Sequence, residues 1–334
     1  MKVFVTGGGG FLGYAIVLQL LEKKYEIHTY SRSKYKKLEG HGIHQHEGNL
    51  TDYNTLKTAM EGCDAVFHVA AKTGIQGNYS SFYRTNVTGT ENILKACSEL
   101  NIPHLIYTSS ASVVFSNGSE GMNESMPYPS RFDAYYPQTK AIAEALVLNA
   151  SGGSLITCSL RPHLVWGPGD IHFIPRLLEK RSKNKLRRLG TKKYLVDVTY
   201  VDNAAKAHLQ AFEAMLNHPD SVAGKAYFLS QDEPIAVHEF IDRLLESGGL
   251  QPVQKTLNLH TARIIGWLMD RVVRLFRLEQ EPPLTLFIAK QLTSSHWYDI
   301  SASKKDFGYK PSISIDKGMR QLKKWCKHEF NTHS

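Results

Sequence analysis

The sequence predicts an α/β protein with a doubly wound parallel sheet and a smaller C-terminal substrate-binding region. Two observations support this. The apolar run Lys2–Thr6 ends in a cluster of glycines, where an apolar helix, Phe11–Leu21, is expected to begin. The first 165 residues then alternate short β-rich runs with helical patterns, which is typical of βαβ units. Together these features indicate a Rossmann-type domain whose glycine turn binds a dinucleotide.

The remaining elements of the predicted sheet follow in chain order. Strands are expected at Ile27–Tyr30, His44–Glu47, Ala65–Val69, His104–Ser109 and Ser154–Arg161, and helices at Thr55–Glu61, Thr85–Leu100 and Pro137–Ala150. The runs around Val66 and Leu105 are nearly all apolar, as expected for strands that helices cover on both faces.

The regular alternation ends at Asp170, and separate helices are expected at Val237–Ser247 and His260–Leu278. We predict a dinucleotide-binding domain over residues 1–165, to which 196–214 return. Residues 166–195 and 215–334 are predicted to form the substrate-binding region.

Composition and the cysteine pattern favour a soluble globular protein of the cytoplasm. The chain has 334 residues and a formal net charge of +9. The first predicted strand begins at Lys2, which leaves no room for a signal peptide, and no apolar stretch approaches the roughly 20 residues that span a bilayer. The four cysteines lack a C-x-x-C pair, which is typical of free thiols in a reducing compartment. They are Cys63, Cys97, Cys158 and Cys326.

Basic residues are concentrated between Arg176 and Lys193. The simpler interpretation is a solvated helix face and loop. The alternative is a surface for an anionic substrate, an acidic partner or a lipid headgroup. No aromatic-interleaved basic stripe accompanies the charge, so no nucleic-acid partner is expected.

The glycine cluster fits a phosphate-binding turn. Gly8, Gly10 and Gly13 match G-x-G-x-x-G, and Gly7, Gly10 and Gly13 match G-x-x-G-x-x-G. Glycines at these positions let a pyrophosphate approach the backbone N–H groups at a helix N-terminus. The strand before the cluster and the helix after it are the context that the motif requires.

The end of the second strand distinguishes the two nicotinamide dinucleotides. NAD-binding folds place an acidic residue there for the ribose hydroxyls, whereas an arginine accommodates a 2′-phosphate. Ser31 and Arg32 follow Tyr30 without a carboxylate. The planar guanidinium donates two hydrogen bonds to a phosphate at once, so NADP(H) is favoured over NAD(H).

Three residues are predicted to carry the chemistry. Tyr136 and Lys140 are four positions apart on a predicted helix and therefore project from one face. A free tyrosine has a pKa of about 10, and a nearby ammonium favours the phenolate and lowers that pKa. Tyr135 has no lysine four positions later, so Tyr136 is the better proton donor. Ser110 follows an apolar strand, where hydroxyl groups reach ligands at the carboxyl ends of the strands.

The glycine loop, strand-end serine and Tyr/Lys pair, in this order, resemble the extended short-chain dehydrogenases/reductases of the epimerase/dehydratase and 3β-hydroxysteroid dehydrogenase type. The resemblance covers nearly the whole chain and includes Asn49–Asp52, His68–Ala71, Asn86–Asn92, Leu160–Pro162 and Tyr200–Asn203. It implies that Ser110 binds the substrate carbonyl and Tyr136 transfers the proton. It also implies that Lys140 holds the nicotinamide ribose and tunes Tyr136.

The same resemblance implies a set of cofactor-binding residues. These are Gly7, Gly10, Phe11, Leu12, Gly13, Ser31, Arg32, Asn49, Leu50, Ala70, Ala71, Lys72, Asn86, Tyr136, Lys140 and Pro162. Asn86 and the segment Ala70–Lys72 are expected to line the cofactor groove, and Asn49 and Leu50 to contact the adenine. The family usually has aspartate at position 49. Asparagine can still hydrogen-bond an adenine edge, so only a modest change in affinity is expected.

The C-terminal half is similar to the 2-alkyl-3-oxoalkanoate reductases of bacterial long-chain olefin synthesis. The similar stretches are Leu160–Asp170, 283–288, His296–Tyr298 and Asp306–Ile315. The similarity implies NADPH-dependent reduction of the 3-keto group of a hydrophobic 2-alkyl-3-oxoalkanoic acid, with Tyr136 as proton donor. One alternative is a 3β-hydroxysteroid or sterol dehydrogenase that works towards oxidation. Another is a non-catalytic NADP-sensing regulator, although such proteins typically lose the Tyr/Lys pair.

The stretch His260–Leu278 has apolar residues interrupted by arginines. This basic amphipathic pattern suits a helix that walls an acyl tunnel, contacts a partner enzyme or rests on a membrane surface. A core-packing helix with its arginines in water fits equally well. A homodimer is expected, and Arg161 or another cation is available for the substrate carboxylate.

His41, His44 and His46 have a spacing that suggests a metal site. They are expected in a loop before a strand, without a cysteine or carboxylate cluster, and hydride transfer needs no metal. No metal site is therefore expected.

Overall fold

The structure is a computed structural model that describes residues 1–74, 77–115, 119–276 and 284–331. Its strands, in chain order, are β1 Lys2–Thr6, β2 Glu26–Ser31, β3 His44–Glu47, β4 Ala65–His68, β5 His104–Thr108, β6 Ser119–Met122, β7 Ile156–Pro162, β8 Val165–Trp166, β9 Arg188–Leu189, β10 Leu195–Val196, β11 Thr199–Tyr200, β12 Lys225–Leu229, β13 Ile235–Ala236, β14 Thr256–Leu257 and β15 His296–Tyr298.

The α-helices surround these strands. They are α1 Phe11–Glu22, α2 Tyr53–Met60, α3 Tyr79–Tyr83, α4 Gly89–Glu99, α5 Tyr135–Asn149, α6 Phe173–Ser182, α7 Val201–Asn217, α8 Pro219–Val222, α9 Val237–Ser247, α10 Leu259–Phe276, α11 Leu286–Leu292, α12 Ser301–Phe307 and α13 Ile315–Asn331. Short 3₁₀ turns occur at Lys36–Leu38 and Ala111–Val114, and a π-helical turn at Arg84–Thr88.

Seven strands form one parallel sheet in the order β12-β7-β5-β4-β1-β2-β3. One buried apolar cluster involves residues of α1 and α7, and a second involves residues of α2, α4 and α5. Strand β4 is buried along its whole length, as expected for a strand covered on both faces. The predicted doubly wound parallel sheet is confirmed. The carboxyl ends of its strands meet at one edge, where ligands bind in such folds.

Several predicted helices have different bounds in the structure. The helix predicted from Pro137 begins at Tyr135, because proline is tolerated in the first turn, where its missing N–H has no intrahelical partner. The helix predicted over Thr85–Leu100 contains the π-helical turn before α4. Of the predicted helix His260–Leu278, residues 277 and 278 lie outside the described residues.

Two later segments pack onto the central sheet. Helix α7 lies against α1, where Gln19 Nε2 donates to the carbonyl of Asp202 (3.0 Å) and Lys23 pairs with Glu213 (2.7 Å). Strand β12 pairs in parallel with β7 and forms an outer strand of the sheet. The predicted domain division placed the residues of β12 in the substrate-binding region, because no strand was predicted there.

The small sheets are formed by chain segments that come after the carboxyl ends of central strands. A four-stranded sheet has the order β13-β10-β15-β6 and brings a strand from near the C-terminus beside the segment after β5. The four cysteines are buried and free. Over the part of the chain that the structure describes, no helix is both long and apolar enough to span a membrane.

Several cations of the basic stretch have partners within the chain. Arg188 pairs with Asp242, Lys183 with Glu179 (2.6 Å), and Arg181 Nε donates to the carbonyl of Gln251 (2.8 Å). These contacts favour the simpler interpretation of this stretch as a solvated face.

Asn203 ties α7 to the loop before α13. Its amide donates to Gln231 Oε1 and to the carbonyl of Ile313, both at 2.8 Å. Its side-chain oxygen accepts from the backbone N–H groups of Ser312 (3.0 Å) and Ile313 (3.1 Å). The side chain is buried, so removing it leaves several buried polar groups without partners.

We expect Asn203→Ala to lower the free energy of unfolding by about 2–3 kcal/mol, since unpaired buried polar groups cost about 1–3 kcal/mol. Asn217→Ala is the matched control, because Asn217 is exposed on the same helix and donates only to the carbonyl of Glu213. Urea denaturation followed by circular dichroism measures both. Equal effects of the two substitutions would contradict this role of Asn203.

Candidate active site

The glycine turn between β1 and α1 is closely packed. Gly7 has φ 68°, in the left-handed region that favours glycine. A Cβ on Gly13 would lie 2.1 Å from the carbonyl oxygen of Gly7. Gly10 precedes α1 in an extended conformation and provides no side-chain cap. The N–H groups at the start of α1 are therefore free of a competing side chain, and they suit a bound phosphate.

The end of β2 offers a hydroxyl and a cation. The hydroxyl of Ser31 is buried without a hydrogen-bond partner in the described structure. Arg32, directly after it, is exposed and pairs with no carboxylate among the described residues. The ring of Tyr35 covers the nearby glycine turn, since a Cβ on Gly9 would lie 2.1 Å from that ring. This hydroxyl and this guanidinium, both unpaired among the described residues, are available to a nucleotide ribose.

The predicted adenine-binding pair is ordered by contacts within the chain. Asn49 Oδ1 accepts from the N–H and hydroxyl of Thr51, at 3.1 and 3.0 Å. Leu50 is buried against Gly89, where a Cβ would lie 2.8 Å from the leucine side chain. The Asn49 amide N–H₂ has no protein partner in the described structure, so it can donate to an adenine edge.

The segment after β4 is tied to the glycine turn. Thr6 Oγ1 accepts from the backbone N–H groups of Val69 and Ala70, both at 3.0 Å, and contacts His68 Nδ1 at 2.8 Å. His68 is fully buried, and desolvation lowers its pKa to about 3. A neutral ring that hydrogen-bonds Thr6 and Thr90 therefore fixes the start of this segment.

Asn86 connects the same segment to α5. Its Oδ1 accepts from the N–H of Lys72 (2.7 Å), and its amide donates to the carbonyl of Lys72 (3.1 Å) and to Thr139 Oγ1 (3.0 Å). Asn86 is buried in the π-helical turn, and such turns are common at functional sites. Asn86 thus acts here as a brace for the Ala70–Lys72 segment.

The structure brings Ser110 and Tyr136 together. Ser110 follows β5 in an extended conformation and shares a hydrogen bond with Ser112 Oγ (2.8 Å). Tyr136 lies in the first turn of α5. Burial raises the pKa of Tyr136, and a hydrogen bond with Ser110 acts in the opposite direction. A serine hydroxyl and a phenol can therefore contact the same substrate oxygen.

Lys140 lies one turn further along α5 and is buried. Its Nζ donates to the carbonyl of Thr108 (2.6 Å) and stands 3.9 Å from the ring centroid of Tyr107. Desolvation lowers the pKa of Lys140 to about 7, against the raising effect of Glu144. The i, i+4 spacing predicts that the ammonium lowers the pKa of Tyr136. In this structure the opposing contribution comes from Ser110, because Lys140 reaches towards β5.

Sequence reasoning missed Glu144, which is one turn beyond Lys140 and fully buried. Arg161 donates to both of its carboxylate oxygens, with Nη2 to Oε1 at 2.7 Å and Nε to Oε2 at 3.0 Å. Ser159 donates to Oε2 (2.7 Å) and Tyr128 to Oε1 (2.8 Å). The available signal was a single glutamate within the otherwise apolar run from Ala141 to Leu148.

Arg161 is therefore already paired. Arg161 is one of the cations that could meet a substrate carboxylate. Its guanidinium is buried and paired with Glu144 through Nε and Nη2, whereas Nη1 has no hydrogen-bond partner in the described structure. Pro162, at the end of the same strand, is buried beside the site. Leu164 follows with φ 39°, an uncommon conformation for a residue other than glycine, and one often found near functional sites.

Aromatic side chains surround the segment after Ser110. Phe115 lies 5.0 Å from His296 between ring centroids, and His163 lies 4.8 Å from His296 and 5.8 Å from Tyr298. The Nε2 of His163 is buried and has no partner in the described part of the structure. Strand β15 thus brings two aromatic rings from near the C-terminus to the carboxyl ends of β5 and β7.

Residues 4–259 match the 3-beta hydroxysteroid dehydrogenase/isomerase family. The chain is 44% identical to the 2-alkyl-3-oxoalkanoate reductase of Stenotrophomonas maltophilia, over 97% of this chain and 98% of that protein. It is 43% identical to the protein of the same name from Shewanella oneidensis, over 96% and 85%. It is 31% identical to the decarboxylating sterol-4-alpha-carboxylate 3-dehydrogenase of Mus musculus, over 96% and 89%.

A solved structure shares the whole fold. MoeE5, in complex with UDP-glucose and NAD, superposes with a TM-score of 0.76 at 21% identity, over 99% of this chain and all of that one. The prediction of a dehydrogenase or reductase enzyme with a Rossmann-type fold is confirmed by the family match and its relatives. The chain belongs to the 3-beta hydroxysteroid dehydrogenase/isomerase family.

Proposed function

We propose that this protein uses NADPH to reduce the 3-keto group of a hydrophobic 2-alkyl-3-oxoalkanoic acid to the 3-hydroxy acid. The observation that carries the proposal is the meeting of Ser110 and Tyr136 at the carboxyl end of the sheet, with Lys140 one turn away. The two relatives named 2-alkyl-3-oxoalkanoate reductase support the substrate class.

The chemistry at the carbonyl follows from the contacts of these residues. When bound, the reduced nicotinamide supplies a hydride to the carbonyl carbon. The Ser110 hydroxyl hydrogen-bonds the carbonyl oxygen and stabilises the charge that develops there. Tyr136 donates its proton to that oxygen, and burial keeps its phenol protonated because it raises the pKa. Lys140 holds the nicotinamide ribose.

The residues proposed to hold the cofactor lie around the carboxyl end of the sheet. Gly7, Gly10, Phe11, Leu12 and Gly13 would bind the pyrophosphate, Ser31 and Arg32 the ribose 2′-phosphate, Asn49 and Leu50 the adenine, and Ala70, Ala71, Lys72, Asn86, Tyr136, Lys140 and Pro162 the nicotinamide half. The unpaired Ser31 hydroxyl and the free Arg32 support NADPH over NADH.

A second candidate function is oxidation of a 3β-hydroxysteroid or sterol, which the resemblance to the mouse sterol dehydrogenase favours. The same residues would then act in reverse, with Tyr136 accepting the proton. Assays of a sterol with NADP⁺ and of a 2-alkyl-3-oxoalkanoate with NADPH separate the two functions. NADPH binding without turnover of any ketone would instead indicate the non-catalytic regulator.

The exposed face of helix α10 supports the proposal that the protein also binds an anionic lipid surface. Ala262 is buried, and Gly266 faces α11 so closely that a Cβ would lie 2.9 Å from the nitrogen of Leu286. The opposite side exposes the apolar residues Ile264, Trp267 and Leu268. It also exposes Arg263 and Arg271, and the Arg271 guanidinium lies 4.3 Å from the ring centroid of Trp267. Exposed apolar and cationic groups on one helix suit the headgroup region of an anionic bilayer.

Tyr136→Phe is expected to lower kcat about 100- to 10,000-fold, the usual loss when a positioned proton donor is removed. Tyr135→Phe is the control on the same turn and should keep kcat within about twofold. The measurement is NADPH consumption with a 2-alkyl-3-oxoalkanoic acid. Wild-type turnover by Tyr136→Phe would exclude the proposed proton donor.

Arg32→Ala is expected to raise the KM for NADPH about tenfold, since a charge-assisted hydrogen bond contributes about 1.5–3 kcal/mol. The KM for NADH should not change, because NADH lacks the 2′-phosphate. Lys34→Ala, at a neighbouring exposed cation, serves as the control. If Arg32→Ala changed both KM values equally, the proposed 2′-phosphate contact would be wrong.

Vesicle sedimentation tests the proposed lipid surface. The protein should bind vesicles of phosphatidylglycerol and phosphatidylcholine and only weakly bind phosphatidylcholine alone, because the cations favour anionic headgroups. The double variant Trp267→Ser, Leu268→Ser should bind at least about tenfold less. Ile171→Ser, which changes an exposed apolar residue elsewhere, should bind like the wild type. Unchanged binding by the double variant would rule out this surface.

A further inference from the structure

Four ionisable side chains lie together at the edge of the central sheet. Strands β2 and β3 pair in parallel, with His28 opposite His44 and Tyr30 opposite His46. Because side chains alternate along a strand, Glu26 and His28 share one face of β2, and His44 and His46 share the same face of β3. One ligand atom from each of Glu26, His28 and His44 lies within 4.8 Å of those of the other two.

The hydrogen bonds of His28 connect His46 on one side to Glu26 on the other. Its Nδ1 is 2.8 Å from His46 Nε2, and its Nε2 is 3.0 Å from Glu26 Oε1. A neutral His28 satisfies both contacts only if its Nε2–H donates to Glu26 and its Nδ1 accepts from His46. The ring of His44 stacks on His28 with centroids 4.5 Å apart. A single proton thus lies between His28 Nε2 and Glu26 Oε1, and the imidazole of His44 stands beside it.

We propose that Glu26, His28 and His44 bind one divalent transition-metal ion of the zinc type at this edge of the sheet. The ion takes the place of the hydrogen between His28 Nε2 and Glu26 Oε1. His28 changes tautomer, so that its proton lies on Nδ1 and donates to His46 Nε2, whose own proton moves to the other ring nitrogen. His46 stays outside the coordination sphere and orients His28, the usual role of a hydrogen-bond partner on the second imidazole nitrogen. Water completes the tetrahedral set at the exposed side.

The cluster requires only a small adjustment to hold the ion. Ligand atoms about 2.0–2.1 Å from a tetrahedral zinc ion lie ~3.4 Å from one another, so the present spacing must contract. Glu26 and His44 are exposed and can rotate, while His28 is buried and holds its position. Lys2 is the opposing charge on the neighbouring strand, and its ammonium donates to the carbonyl of Glu61 (2.7 Å).

The expected role of the ion is structural. Strand β3 is the outer strand of the sheet and pairs only with β2, so a metal bridge from His44 to His28 and Glu26 would fasten it. Glu26 and His28 lie in the first half of β2, whereas Ser31 follows at its far end, about 10 Å away at ~3.3 Å per residue. The ion would therefore stabilise the folded chain without taking part in hydride transfer.

The fold brings a carboxylate and a further imidazole to His44, although neither is its neighbour in the sequence. The histidines around His44 appeared to have no carboxylate neighbour, since Glu26 and His28 belong to an earlier strand. Parallel pairing of β2 and β3 brings them together.

The test uses the full chain, prepared without a histidine tag and stripped with a chelator. Titration calorimetry with Zn²⁺ should show one ion bound per chain with a micromolar or lower Kd. His44→Ala should weaken binding at least about tenfold and His46→Ala about 10- to 100-fold. His41→Ala, at an exposed histidine of the same stretch, should bind like the wild type.

Two further measurements test the metal site independently of the proposed catalytic function. Zn²⁺ should raise the Tm of the wild type and of His41→Ala but not of His44→Ala, because an ion that binds only the folded state stabilises it. NADPH binding should be the same for all these variants. No stoichiometric binding by the wild type, or wild-type affinity in His44→Ala, would overturn the inference.

Discussion

The buried carboxylate of Glu144 is the constraint on which the arrangement of the active site depends. A charge inside the protein must be paired, and removing one partner of a buried ion pair costs about 3–5 kcal/mol. Arg161, Ser159 and Tyr128 satisfy the carboxylate, which joins α5 to β7. Lys140 lies one turn earlier on the same helix, so this pairing also fixes where its ammonium reaches the end of β5.

A second set of polar contacts holds the other side of α5. Thr139 accepts a hydrogen bond from Asn86, which also accepts from the backbone N–H of Lys72. Thr6 accepts from the N–H of Ala70, at the start of the segment after β4. The glycine turn, the segment after β4 and helix α5 are therefore connected through hydrogen-bonded buried groups. Such networks hold a site rigid before the substrate arrives, and Tyr136 projects from the helix that they hold.

Local patterns were sufficient to predict strands β1 to β5 and β7 of the central sheet and to propose the catalytic residues. The glycine turn and the i, i+4 spacing of Tyr136 and Lys140 depend only on neighbours in the chain. Partners distant in sequence were not predictable in this way. Arg161 appeared available until the fold paired it with Glu144, and β12 became recognisable as a strand of the sheet through its pairing with β7. The aromatic rings of β15 reach the site only because the small sheet folds back onto it.

In the proposed reaction, this site directs a hydride to the C3 ketone of a 2-alkyl-3-oxoalkanoic acid. The most direct measurement uses NADPH with both C4 hydrogens replaced by deuterium, followed by rapid quenching and mass spectrometry of the product. The product should be a 3-hydroxy acid with one deuterium on C3, formed in step with NADPH oxidation. NADPH oxidation without deuterium on C3, or no consumption with this substrate class, would contradict it.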